Sequence, residues 1–317
     1  MSSKQKGYMD LSVASVTVAY NDAIVLPRQM DALLRQTRPP QEVVVVDNAS
    51  SDGASTLLAE RYPGVTVLAM SQNLGWGGAM GVGLAYAALE KRHDWVLMLD
   101  ADSVPDLDFL ETLIQGIDSL RTEDGEVGMV APLCIHRQTG TCYPPLFWRN
   151  GYVKPRAELL RQPIWFADLV MGSGCMVHHN LVEKIGTPRA DFFVCFPDYE
   201  YCLRARANGY KIAIITQAQL AHEVGKARHV RLPGFSGLWS DHAPWHEYYI
   251  SRNITYTAWW LYPNAATKWF VVAHLARHAG GSLLFGSNKL ACLRKMVQGF
   301  WDGRHAKLGV RFRPDLP

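Results

Sequence analysis

The sequence predicts an α/β fold: a mostly parallel, Rossmann-like sheet flanked by helices, followed by a C-terminal helical segment. Three observations carry that expectation. Short β-branched or continuously apolar runs alternate with stretches of helical apolar spacing through the first hundred residues, the pattern of parallel strands joined by helical crossovers. After about residue 130 the alternation decays into Pro-, Trp- and Gly-rich sequence, and from Trp245 on the pattern is helical and aromatic. With 317 residues, 48% of them hydrophobic, the chain can bury a large core.

Val13–Ala19 (VASVTVA) is short and β-branched, residues 26–36 carry apolar side chains at helical spacing, and 41–47 (QEVVVVD) is a nearly continuous apolar strand. That is a β-α-β unit. A short helix at 55–61, a strand at 65–69, a helix at 79–90 and a strand at 95–99 continue the alternation. Further on, 171–177 reads as a strand, a helix starts at Pro197, and 211–216 is another strand. The expected division is one domain over 1–235, with a first half at about 10–130 and a second at about 131–235, and a basic helical segment over 236–317.

The net charge is only +3, but residues 264–317 hold nine Lys/Arg against two Asp/Glu. Such a tail suits an anionic surface, and no nucleic-acid partner is expected. Apolar and aromatic residues (Trp269, Phe270, Leu284, Phe285, Phe300, Trp301) lie among its cations, a mixture that fits an interfacial helix on anionic lipid. It equally suits a solvated basic face or a contact between copies of the chain. Six cysteines without CxxC spacing read as buried thiols in a reducing compartment, so cytoplasm is expected, on the inner face of the membrane if the tail binds lipid. The run 11–20 lacks a cleavage site and reads as a strand; no uninterrupted apolar run approaches the ~20 residues a bilayer span needs.

In a parallel sheet the ligand lies beyond the carboxyl ends of the strands, which directs attention to Tyr20-Asn21-Asp22, Asp47-Asn48, Asn73 and Asp100-Ala101-Asp102. Residues i and i+2 of an extended segment point to one side, so Asp100 and Asp102 can converge on one ligand. Two carboxylates with substrate phosphates suit Mg²⁺ or Mn²⁺. Spacing alone suits equally a turn opened by Asp102 ahead of Pro105. Asp47 leads into a turn-rich loop where it could accept from a base or ribose, or cap the next helix. Asn73-Leu74-Gly75-Trp76-Gly77-Gly78 would let backbone approach a ligand just before a helix N-terminus; it is neither a P-loop nor a dinucleotide fingerprint.

Taken together, these segments resemble the family-2 nucleotide-sugar glycosyltransferases of GT-A fold. The matching residues are Val16-Thr17-Val18-Ala19-Tyr20-Asn21, Val46-Asp47-Asn48-Ala49-Ser50-Ser51-Asp52-Gly53, Asn73-x-Gly75-x-Gly77-Gly78-Ala79 and Leu99-Asp100-Ala101-Asp102-Ser103. A second block, Phe192-Phe193-Val194-Cys195-Phe196-Pro197-Asp198-Tyr199-Glu200-Tyr201-Cys202-Leu203-Arg204 followed by Gly209-Tyr210 and His222, is similar to the acceptor-side motif of the bacterial rhamnosyl- and galactofuranosyltransferase branch. The likeness runs from 13 to about 225, and more loosely over Tyr248-Tyr249-Ile250-Ser251-Arg252-Asn253.

The resemblance implies donor contacts at Ala19, Tyr20, Asn21, Asp47, Asn73, Gly75, Asp100 and Ala101, a Mn²⁺ or Mg²⁺ held by Asp100, Asp102 and His222, and Asp198 as catalytic base. It implies inverting transfer of a sugar, rhamnose or galactofuranose, from a UDP- or dTDP-linked donor to a glycan or lipid-linked acceptor in cell-envelope polysaccharide synthesis. Two departures stand out: Pro197-Asp198 replaces the more usual Glu-Asp, and Gly81 stands where an Asn is common. Glu200 can pair with Arg204 at i,i+4 and reads as a support for the base rather than the base. His178, His179, His242 and His246 are candidates to line an acceptor cleft, Trp148, Trp165, Trp239 and Trp245 to stack on sugars or sit in the core, and Arg149 to meet a phosphate or be solvated. Two other classes remain open: a sugar nucleotidyltransferase, which would be expected to carry a basic Gly-rich loop where Tyr20-Asn21-Asp22 stands, and a non-catalytic glycan- or nucleotide-binding protein.

Overall fold

The computed structural model describes residues 11–120, 125–136, 140–222, 227–232 and 235–314. In chain order the elements are β1 (Val13–Ala19), α1 (Leu26–Leu34), β2 (Glu42–Asp47), α2 (Ala54–Arg61), β3 (Thr66–Ala69), α3 (Gly75–Leu84), β4 (Trp95–Asp100), β5 (Val104–Pro105) and α4 (Phe109–Asp118). These are followed by β6 (Val127–His136), β7 (Cys142–Tyr143), β8 (Phe147–Trp148), β9 (Tyr152–Val153), β10 (Ile164–Ala167), β11 (Met176–His178), α5 (His179–Ile185), α6 (Pro197–Ala207) and β12 (Lys211–His222). The hairpin β13 (Ala227–Leu232) and β14 (Phe235–Ser240) precedes α7 (Pro244–Tyr256), α8 (Ala265–Phe285) and α9 (Lys289–Arg304).

The main sheet runs β3-β2-β1-β4-β11-β6-β12-β10. From β3 to β4 every pairing is parallel; β11 then lies antiparallel between β4 and β6, and β12 runs parallel to β6. The fold is the α/β sheet expected, with its parallel order concentrated in the first half. The valines of β2 show how the sequence writes such a strand. Val44 and Val46 pack with Val16, Met98 and Met80 on one face, while Val43 and Val45 pack with Leu97, Leu33 and Leu113 on the other. A strand buried on both faces needs apolar residues at every position.

The same alternation continues through β4 until Asp100, where burial stops being complete. Strand β11 starts later than its apolar pattern predicts, because 171–175 is drawn into a loop: Gly174 takes φ +83° and Ser173 turns its hydroxyl to the backbone N–H of Asp100 at 3.0 Å. The C-terminal helices are not remote from the sheet domain, since α7 packs against α9 and also reaches the loop ahead of α6 through its buried Arg252 and Asn253. Among the described residues no helix is long and apolar enough to cross a membrane.

Candidate active site

A cleft of about 470 Å³ opens at the carboxyl ends of β1, β2 and β4, lined by Val18, Tyr20, Asp22, Asn48, Asn73, Gly75, Trp76, Asp100, Ala101 and Asp102, with Phe193, Val194, His242, Trp245, His246 and Pro314 facing them. Both acids of the Asp100-Ala101-Asp102 stretch therefore reach one space. Their loop is fixed from behind by Gln29, fully buried on α1, whose amide donates to the backbone carbonyls of Asp100 and Ser103 and accepts from the Thr17 hydroxyl at 2.9 Å. The hydroxyls of Ser103 and Ser173, 2.8 Å apart, complete the brace. On the cleft side the Trp76 indole N–H donates to Asp100 Oδ1 at 2.6 Å, a charge-assisted bond that aims the carboxylate.

Asp22 joins these two acids, a contribution the strand-end pattern contained but motif reasoning did not single out. Its carboxyl is held above the ordinary aspartate range, first by burial and then by the negative charges of Asp102, Asp52 and Asp100, while its bond from the Tyr20 N–H works the other way. Asp22, Asp100 and Asp102 turn carboxylate oxygens to one cleft, the ligand chemistry that suits Mg²⁺ or Mn²⁺ together with substrate phosphates. Among the described residues, no three His, Cys, Asp or Glu side chains converge tightly enough to make a complete metal site by themselves. The side chain of His222 lies outside the described residues; its backbone ends β12 one residue beyond the Ala221–Val104 pair, beside the segment that follows Asp102.

The neighbouring loops are locked to one another. Asn48 accepts from the Leu74 N–H at 2.8 Å and donates to Asn73 Oδ1 at 3.1 Å, and the Asn73 oxygen in turn accepts from the Gly75 N–H at 2.8 Å. Gly75 sits at φ +70°, and a β-carbon there would stand 2.3 Å from the Phe193 carbonyl, so only glycine fits where the loop meets the segment ahead of α6. Asp47 is placed differently from its expected donor role: it is buried, and its oxygens accept from the Ser50 N–H and the Ser55 hydroxyl, fastening the loop that leads into α2. Its neighbour Asn48 faces the cleft instead. Asn21, in the left-handed region at φ 57°, ties to the same loop through the Ser51 N–H at 2.8 Å, and the Ala19 carbonyl accepts from the Asn48 N–H at 2.9 Å. Of the donor contacts expected, Tyr20, Asn73, Gly75, Asp100 and Ala101 line the cleft and Ala19, Asn21 and Asp47 shape its wall.

Asp198 approaches from the other half of the sheet. It stands at the second position of α6, next to Pro197, and its two oxygens accept from the N–H groups of Tyr199 (2.9 Å) and Gly172 (3.2 Å). A β-carbon on Gly172 would meet the Trp76 ring at 2.6 Å and the Asp198 β-carbon at 3.4 Å. The indole therefore bridges the two acids, its N–H on Asp100 and its ring over Gly172 beside Asp198. Burial pushes the Asp198 carboxyl up to about 6, with the charge of Asp100 adding to the shift and the backbone N–H bonds opposing it.

The entry to α6 is strained. Phe193, Cys195 and Phe196 all lie in the left-handed region, at φ 64°, 59° and 77°, a conformation that costs on the order of 1–3 kcal/mol for each such residue. What holds them comes from α7. The fully buried Asn253 donates to the carbonyls of Phe192, Val194 and Cys195 at 3.0, 2.8 and 2.7 Å, and the equally buried Arg252 to those of Asp191 and Phe192 at 3.0 and 2.9 Å and to Gly309. Sequence reading touched these two residues only as a loose likeness; their chemistry was legible in retrospect, because a helical Arg-Asn pair amid aromatic residues is rarely buried without backbone partners.

Other expectations sort by position. Glu200 forms the predicted pair with Arg204, doubly, at 3.0 Å, and Arg204 also reaches the carbonyls of Ile185 and Thr187, so the pair braces α6. Trp165 is a core residue, Trp148 packs edge-on to Tyr152 and Phe270, and Trp239 packs on His278; only Trp245 of the four reaches the cleft. His242 and His246 line it, stacked 4.5 Å apart, with His246 depressed to about 3 by burial and by its histidine neighbours. His178 and His179 lie beside Trp95 and Asp94 at the opposite end of β4. Arg149 is not at the cleft: its side chain, largely exposed to solvent, pairs with buried Asp168 at 2.8 Å.

With this geometry, residues 15–132, from β1 into β6, match the family model described as Glycosyl transferase family 2. That likeness to family 2 spans just over a third of the chain. Over 247 residues, 77% of this chain and 79% of the relative, it is 25% identical to dTDP-rhamnosyl transferase RfbF of Shigella flexneri. Over 314 residues, 92% of this chain and 98% of the relative, it is 24% identical to N-acetylglucosaminyl-diphospho-decaprenol L-rhamnosyltransferase of Mycobacterium tuberculosis. Among solved structures, GalNAc-T7 with UDP, GalNAc and Mn²⁺ superposes with a TM-score of 0.61 at 16% identity, over 93% of this chain and 56% of that one, a likeness of fold. The fold is thus GT-A, and it places its acid pair at the end of β4 and Asp198 across Trp76.

Proposed function

We propose that the protein is an inverting, divalent-metal-dependent glycosyltransferase that moves a deoxyhexose or furanose, rhamnose foremost and galactofuranose as the second choice, from a dTDP- or UDP-linked donor. The acceptor is a glycan or lipid-linked glycan of cell-envelope polysaccharide synthesis, met on the cytoplasmic side of the membrane. The names of the two relatives support the sugar. The observation that carries the mechanism is the bridge Asp100–Trp76–Gly172–Asp198, which joins a cation-suited acid pair to a raised carboxyl.

In this reading Asn48, Asn73 and Tyr20 receive the nucleoside, while Asp100 and Asp102, with His222, hold Mn²⁺ or Mg²⁺ against the diphosphate. The bound cation supplies neutralisation of charge on the departing diphosphate. Asp198 takes the proton of the acceptor hydroxyl as that oxygen attacks the anomeric carbon from the face opposite the diphosphate. One displacement forms the new C–O bond, breaks the sugar–phosphate bond and inverts the anomeric centre. A carboxyl near pKa 6 is ionised at neutral pH yet more basic than an ordinary aspartate, which suits this task. The domain division follows: 10–130 binds nucleotide, 131–235 carries the base and acceptor side, and 236–317 braces α6 through α7.

The test is release of free nucleoside diphosphate from a panel of dTDP-rhamnose, UDP-galactofuranose and UDP-glucose, with Mn²⁺, with Mg²⁺ and after chelation. Metal-dependent release from one donor, abolished in Asp102→Ala, is expected. Undiminished release after chelation, or none from any donor although UDP or dTDP binds, would overturn it.

A further inference from the structure

Exposed large hydrophobic side chains are unevenly distributed in this protein. Of fourteen among the described residues, nine fall between Trp260 and Val310. On α9, Leu290, Val297 and Trp301 are 81%, 69% and 56% exposed, and with Arg294 they recur at i, i+4, i+7 and i+11, one face of the helix. The opposite face of α9, carrying Cys292, Met296 and Gly299, is the one buried against the rest of the protein.

That exposed face is also cationic. Arg294, Lys295, Val297, Gln298, Trp301 and Lys307, with Arg311, line a bowl of about 710 Å³. Its only acid, Asp302, is buried and bound by the Arg311 guanidinium and the Tyr248 hydroxyl at 2.8 Å, so it turns no charge outward. Between 264 and 314 every other ionisable acid or base apart from histidine is Lys or Arg. The cations crowd one another, and the Lys295 ammonium is pushed down by partial burial and by Arg311 and Arg294.

We propose that the α9 face and the bowl beside it form a peripheral docking surface for the anionic headgroup layer of a lipid bilayer. Apolar side chains standing free among cations suit that interface, where the chains enter the acyl boundary and the ammonium and guanidinium groups meet phosphates. A second copy of the chain is a poor occupant, because a two-fold contact through this face would bring like charges together. The surface is continuous with the cleft: Phe312 lines the bowl, and Pro314, two residues on, lines the cleft. Docking would therefore hold the cleft close to the membrane plane. The proposal does not rest on the transferase reading.

Flotation of the full chain with phosphatidylcholine vesicles, with and without roughly 30 mol % phosphatidylglycerol, tests it. Binding to the anionic vesicles alone is expected, weakening roughly tenfold as ionic strength rises about fivefold. The exposed pair Leu290→Gln with Val297→Gln, and the pair Arg294→Gln with Lys307→Gln, should each lower binding by roughly tenfold or more while thermal stability and UDP-induced stabilisation stay at the wild-type level. No flotation, equal flotation with neutral vesicles, a concentration-dependent dimer lost in the same variants, or tight retention by an oligonucleotide in place of vesicles would overturn it.

Discussion

Asp100 and Asp102 reach the cleft at the end of a strand buried on both faces, whereas Asp198 stands beyond Trp76, off the cleft's lining, on a helix whose entry passes through three left-handed non-glycine residues. The first delivery is by regular hydrogen bonding and apolar packing, with Gln29, Ser103 and Ser173 as the polar brace behind it. The second depends on Arg252 and Asn253 of a helix some fifty residues later in the chain, which satisfy five carbonyl contacts of the loop between Asp191 and Cys195. A parallel sheet can place a residue beyond its strand ends by geometry alone. A carboxylate brought in on another element has to be aimed by side chains.

The most damaging single change should be at the base. Asp198→Asn keeps the shape and removes the proton acceptor, and loss of turnover of about 10²–10⁴-fold is expected with donor affinity retained, read by product release and by UDP-induced thermal shift. In the wild type, kcat/KM should rise with pH along a limb near 6. The sign for stability is the reverse. Because burial raises the folded carboxyl from its ordinary 3.8 to about 6, its ionisation opposes folding above that window and ceases to as pH falls through it. The stability difference between Asp198→Asn and wild type should therefore move in the variant's favour by about 1–3 kcal/mol between pH 4 and pH 7. A flat difference would show that Asp198 is not held in its buried site.

The clamp comes next. Arg252→Met removes the buried guanidinium from the carbonyls of Asp191, Phe192 and Gly309, the first two keeping only the Gly309 N–H and the Asn253 amide, and a loss of about 3–5 kcal/mol is expected by denaturant unfolding. Asn253→Ala should cost about 1–3 kcal/mol. It should also lower turnover more than donor affinity, since the residue supports the base and not the nucleotide cleft. If both variants lost donor affinity first, the two deliveries would be one cooperative unit.

How much of this was legible in the sequence follows the same divide. The four valines of β2 and the run Trp95-Val96-Leu97-Met98-Leu99 state a doubly buried parallel strand outright, and the acid pair at its end inherits its placement from that pattern. Asp47 could not be assigned so, because its role turns on whether Ser50 and Ser55 fold back to it, a matter of loop geometry that no periodicity encodes. The bridge through Trp76 depends on Gly172, nearly a hundred residues away, and the clamp on a contact between α7 and the loop ahead of α6. Such long-range side-chain-to-backbone bonds leave no local signature. For Trp165 the sequence left two positions open, and the structure takes the core one, on β10 with its indole N–H 3.2 Å from the Thr216 hydroxyl.

Behind the acid pair, Gln29→Leu should take a donor from the carbonyls of Asp100 and Ser103 and the acceptor from the Thr17 hydroxyl, costing about 1–3 kcal/mol. Its activity signature should differ from that of the clamp. Because Gln29 braces the carbonyls that shape the acid loop, the variant should need more Mn²⁺ for half-maximal product release while its pH limb stays near 6. A shift in the pH limb with unchanged metal demand would mean that the brace acts on Asp198, and the distinction between the two halves would fail.

The smallest effect should come from Arg149→Ala. Arg149 pairs with Asp168, but its side chain is 63% exposed and Asp168 keeps a second partner, the Arg206 guanidinium at 3.0 Å, and a bond from the Trp148 N–H at 2.8 Å. An exposed cation that leaves its buried acid still doubly satisfied contributes little, so a loss below about 1 kcal/mol is expected. Donor binding should not change, since Arg149 does not line the cleft. The contrast with Arg252 is the informative part: two arginines, both hydrogen-bonded, differ several-fold in effect because one has water to fall back on and the other is fully buried on the three carbonyls it holds. A large loss of donor affinity in Arg149→Ala would instead place the donor diphosphate on the acceptor-side half and reverse the assignment of the two.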